Sequence, residues 1–120
     1  MYMPNIKSAK ILERIHLGNY NLVLLGDIES IGYIHYKYIL VVFKANEQTP
    51  IYFVSSEENA FSKELGGGTH FLCAFEGDTH KNYGCSNEWA DYEKFADRAL
   101  QMVKEKFNIL PDSAVLHKGC

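Results

Sequence analysis

Several things are scarce in this 120-residue chain, and each scarcity excludes something. Its longest strongly apolar run, Tyr38 to Phe43, falls far short of the roughly 20 residues that cross a bilayer. No transmembrane helix is expected. Lysine and arginine together number 12 against 15 aspartates and glutamates, a formal charge of −3, so the basic surface that phosphate neutralisation requires is missing and no nucleic-acid partner is expected. Cysteine occurs only at Cys73, Cys85 and Cys120, an odd number with no C-x-x-C pair. That fits reduced thiols, not a disulfide framework, with Cys120 an exposed terminal thiol. Residues Met1 to Tyr20 hold no unbroken apolar segment, because Lys7, Lys10, Glu13 and Arg14 interrupt them. No signal peptide is read there, and the expected location is the cytoplasm.

Hydrophobic residues make up 47% of the chain and aromatics 13%, ample for one packed core, and the length suits one domain over 1–120, with 111–120 as a tail. Charge is uneven. Up to Val54 there are five basic residues against four acidic ones, and from Ser55 onward seven against eleven.

The clearest element is a long amphipathic helix. Trp89, Tyr92, Phe95, Ala96, Ala99, Leu100, Val103 and Phe107 recur at the spacing that gathers one apolar stripe. Glu88, Asp91 and Glu93 sit in the early turns and Lys104 and Lys106 in the last, which complements the helix dipole. Ser86, Asn87 and Asp91 are candidate N-caps, and Pro111 marks a stop.

Four strands precede it: Tyr20 to Asp27, Tyr33 to Lys44, Ile51 to Val54 after a turn ending at Pro50, and Thr69 to Glu76. Ser8 to Leu17 suits either a short helix, with Ile11, Leu12 and Ile15 together, or a strand with Ile11, Ile15 and Leu17 on one face; the helix is preferred. Ser55 to Gly68 reads as a connection with one helical turn at Ala60, Phe61 and Leu65, ending in Gly66, Gly67 and Gly68. Because a strand and not a helix follows those glycines, no phosphate-binding loop is expected. The fold class is therefore α+β: a four-stranded, mainly antiparallel meander with one long C-terminal helix running antiparallel to the last strand.

The metal-capable residues His70, Cys73, His80 and Cys85 match no zinc spacing. His70 and Cys73 leave opposite faces of their strand, so neither a metal centre nor any other cofactor is expected. Between strand and helix, in a polar loop, lie Asp78, His80, Cys85 and Trp89. As a catalytic set, Cys85 would be the nucleophile, His80 its base and Asp78 the orienting group, in a small thiol hydrolase or transferase; as a binding site, His80 and Trp89 would line it. The acidic neighbours Glu76, Glu88 and Asp91 oppose thiolate formation. The preferred reading is a protein-binding or regulatory domain of the adaptor or immunity type, more a non-enzyme than an enzyme. Strands apolar on both faces, with a single helix to cover one, point to self-association through the sheet as a homodimer.

Overall fold

The computed structural model describes residues 3–60 and 68–109. The expected Phe61 and Leu65 turn, Gly66, Gly67, the Pro111 stop and the 111–120 tail with Cys120 fall outside the described residues. Within them, six strands form one antiparallel sheet in sequence order: β1 (Ile6–Leu17), β2 (Tyr20–Ser30), β3 (Tyr36–Lys44), β4 (Pro50–Glu58), β5 (His70–Glu76) and β6 (Thr79–Ser86). A 3₁₀ turn (Asn87–Ala90) and α1 (Tyr92–Lys106) complete the described chain. The class is α+β with an antiparallel meander and one C-terminal helix, as expected. Six strands replace the expected four.

Both additional strands come from two-residue hairpins. Leu17 pairs with Tyr20 across Gly18 and Asn19, and Glu76 pairs with Thr79 across Gly77 and Asp78. Gly18 and Gly77 have φ of 60° and 58°, the left-handed conformation such tight turns require and glycine supplies without strain. The first hairpin makes the Ser8 to Leu17 segment a strand, not a helix. Its Ile15 and Leu17, two apart, pack on the core while Ile11 and Leu12 stay exposed, so pairing with β2 overrides the segment's helical spacing. The second hairpin turns the expected polar loop into β6.

β4 continues past Val54 through Ser55, Ser56 and Glu57, all buried. β2 is longer than expected and β3 shorter, so Tyr33 and Ile34 belong to the connection between them.

Ser86 and Asp91 both act as caps. The Ser86 hydroxyl accepts from Glu88 N at the 3₁₀ turn, and the Asp91 carboxylate accepts from Lys94 N at α1. The stripe lies as expected on the sheet: Phe95, Ala96, Ala99 and Val103 are buried together with Met102, against Leu22, Leu24, Leu40, Val42, Val54 and Leu72. The direction differs. Thr69 N donates to Asn87 Oδ1 at the start of β5, and Lys106 pairs with Glu76 at its end, so α1 runs the same way as β5 because β6 has already reversed the chain. No helix among the described residues is long and apolar enough to cross a membrane.

The opposite face of the sheet holds a second core of Tyr36, Ile39, Val41, Phe53, Cys73 and Phe75, with Ile6, Leu25, Ile28, Phe43 and Phe71 packed around it. All these neighbours belong to the sheet itself. The Tyr36 ring reaches across from β3 to within 6.4 Å of the Phe75 ring on β5. The centre of this face is thus buried within one chain.

Candidate functional site

β6 separates the residues that the sequence groups together. Phe71 faces Cys85 and Phe75 faces His80 in the β5–β6 register. Cys85 and His80 therefore stand at opposite ends of a strand, five residues or about 16 Å apart at roughly 3.3 Å per residue. Asp78 lies in the hairpin turn beyond His80. Trp89 follows β6 at the Cys85 end, in the 3₁₀ turn, with its carbonyl accepting a 2.6 Å hydrogen bond from Ser56 Oγ. The proposed nucleophile, base and orienting group do not form one constellation, and His80 and Trp89 do not line one site.

Cys85 has a structural setting. Its Sγ donates to the Gly68 carbonyl at 2.7 Å, and Asn59 Nδ2 lies 3.4 Å from the same sulfur. Gly68 packs so closely here that a Cβ would stand 2.2 Å from Ser86 N and Cα; only glycine fits. His70 lies on the helix-side face, opposite in direction to Cys73, as the alternation of the strand predicts. Its Nδ1 is 2.8 Å from Thr69 Oγ1, whereas its buried Nε2 has no hydrogen-bond partner among the described residues. Burial lowers its pKa from the ordinary histidine value, more than neighbouring Glu58 raises it.

The chemistry of the molecule gathers elsewhere, on the face away from α1. Glu57 of β4 is 6% exposed. Its Oε2 accepts from Ser55 Oγ at 2.9 Å and lies 3.0 Å from His80 Nε2 of β6. The sulfur of Cys73 on β5, fully buried, lies within 4.8 Å of the Glu57 carboxylate; burial first and Glu57 second push its thiol pKa well up. The Phe75 ring, 4.6 Å from the His80 ring and 6.2 Å from that of Phe53, walls the group. One atom each of Glu57, Cys73 and His80 fall within 4.8 Å of one another. Sequence reading found His80 and Cys73 but missed Glu57, because the polar run after Val54 looks like the end of a strand. The available signal was parity: Ser55 and Glu57 continue the alternation begun at Phe53.

A third feature is apolar and exposed. In the β2–β3 connection Ile31 is 48% exposed, Ile34 is 36% exposed, and Tyr33 between them is fully exposed, at 102%. Ile31 N donates to the Asn5 carbonyl, and Met3, also exposed, lines the same shallow hollow.

Compared with models of known protein families, with curated proteins and with solved structures, the chain matches none.

Proposed function

We propose that this chain is a small protein-binding domain, cytoplasmic and regulatory in the manner of an adaptor or immunity protein, which docks through the β2–β3 connection. The observation that carries the reading is the full exposure of Tyr33 between Ile31 and Ile34, beside Met3. Exposed apolar residues standing singly are ordinary; a contiguous set around an aromatic is what interfaces bury. Tyrosine suits such an anchor because its ring fills an apolar pocket while its hydroxyl stays hydrogen-bonded. The occupant is a folded protein with a cleft for that ring, and a second copy of this chain is one form of it. The thiol-enzyme alternative has no comparable support, since β6 holds Cys85 and His80 apart.

The test is site-resolved crosslinking in the native cell. A photoreactive phenylalanine analogue placed at Tyr33 should give one discrete adduct, and the same analogue at exposed Asp97 on α1 should give none. An adduct of twice the chain mass identifies a second copy. Equal labelling from both positions, or none from Tyr33, overturns the reading. Tyr33→Ser should leave the melting temperature unchanged, because the side chain buries nothing in the isolated chain.

A further inference from the structure

The geometry points to a binding site for a single borderline-soft divalent metal ion of the zinc type, held by Glu57, Cys73 and His80 on the sheet face away from α1. The three ligands come from three consecutive strands and project from one face, a rigid platform whose spacing is set by backbone pairing. Their ligating atoms lie within 4.8 Å of one another, with His80 Nε2 and Glu57 Oε2 already at 3.0 Å. Tetrahedral zinc with bonds of about 2.0–2.3 Å sets its ligands about 3.3–3.6 Å apart. Side-chain rotation closes the remaining ångström.

The electrostatics favour the same occupant. A buried carboxylate is stable only when its charge is compensated. Here a hydroxyl, a thiol and one imidazole surround it. A divalent cation would compensate the carboxylate directly and displace the thiol proton to solvent, leaving Cys73 bound as thiolate. Sulfur, nitrogen and oxygen together suit zinc or cobalt; calcium and magnesium demand all-oxygen shells. Ser55 Oγ, bonded to Glu57, orients the carboxylate as outer partners do at metal sites. Three protein ligands leave a fourth position, and the His80 side chain is 30% exposed, so that position opens to water on the His80 side, as in a site that takes an exchangeable ligand.

The test is titration of the reduced, full-length protein with Co(II), then Zn(II). Saturable one-to-one cobalt binding with a thiolate-to-metal charge-transfer band is expected, reversed by zinc, together with a rise in melting temperature when zinc is added. C73S should abolish the band, while C85S and C120S keep it. Should C73S fail to fold by circular dichroism, partly exposed His80 gives the second variant, and H80N should weaken zinc binding at least tenfold. Absence of the band, its persistence in folded C73S, its loss in C85S or C120S, or unchanged zinc affinity in H80N overturns the site.

Discussion

The two faces of the sheet solve burial in different ways. On the helix side the contact is almost wholly hydrocarbon: Leu22, Leu24, Leu40, Val42, Val54 and Leu72 meet Phe95, Ala99 and Val103. Of its buried residues that carry a hydroxyl, Ser56 fixes the start of the helical segment at the Trp89 carbonyl. On the other side no helix lies among the described residues, and the rings of Tyr36, Phe53 and Phe75 lean across neighbouring strands to close the face. That side also encloses Ser55, Glu57 and Cys73, with His80 partly exposed at their edge. Among the described residues, the cover of this second face comes from the sheet's own side chains. Large aromatics can cover a face crosswise, and they shield the polar group beneath them except on the His80 side.

The widest test of this contrast replaces one aromatic on each face. Phe95 and Phe75 are both fully buried, and Phe95 stacks 5.6 Å from Tyr38. Each change to alanine should cost about 3–5 kcal/mol of stability, as truncation of a buried ring does, read from urea unfolding midpoints. A near-neutral Phe75→Ala beside a costly Phe95→Ala would show that the second face is open in solution. That result would strengthen the case for a partner covering the sheet.

The same contrast explains what was legible in the sequence. The helix, its stripe and its caps were, because they depend on residues three and four apart and on the dipole. So were the centres of β2 to β5, each an apolar run. Gly18 reads equally as the stop of a helix or the start of a hairpin, and Gly77 as part of a polar loop, so β1 and β6 were not legible. Without β6 the expected helix direction relative to β5 is reversed. In the Glu57 group, parity with Phe53 marks Ser55 and Glu57 as facing one side of β4, but nothing local joins them to Cys73 and His80. Ser55 and Glu57 are polar, and their burial is made tolerable by Cys73 and His80, 16 and 23 positions away from Glu57. Only the register of three strands brings these side chains together.

Smaller effects should separate the polar residues of the two faces. Glu57→Ala leaves the buried Ser55 hydroxyl without its acceptor inside an apolar wall, and should cost about 1–3 kcal/mol. Combined with His80→Ala it should cost less than the sum of the two single changes, because the residues share one network; strict additivity would mean that the 3.0 Å contact carries no coupling. Ser56→Ala on the helix side removes one neutral hydrogen bond and should cost about 1 kcal/mol. Urea unfolding of the single and double variants gives the ranking, and a Ser56 effect exceeding that of Glu57 would reverse the assignment of polar weight to the second face.

The smallest expected effect concerns pH and uses the two histidines, one on each face. His80 has a carboxylate at hydrogen-bond distance, whereas His70 on the helix side has a buried Nε2 without a partner among the described residues. Desolvation lowers the His70 pKa in the folded chain, against the smaller opposing pull of Glu58 and with a small contribution from Lys37. In the unfolded chain the ring titrates near its ordinary value of about 6.5. As pH falls through that value the unfolded chain takes up the proton first, so it holds more protons than the folded chain and folding stability declines. The contribution is fully present above the unfolded value, and its loss is complete once pH has dropped below the folded value. His70→Gln keeps a polar side chain but has no proton to bind in this range. Between pH 7.5 and 5.5 the melting temperature of the wild type should fall more than that of H70Q, the two curves diverging only below about pH 6.5. Parallel curves would show that His70 is solvated in the folded chain, and convergence on acidification would mean that Glu58 outweighs burial.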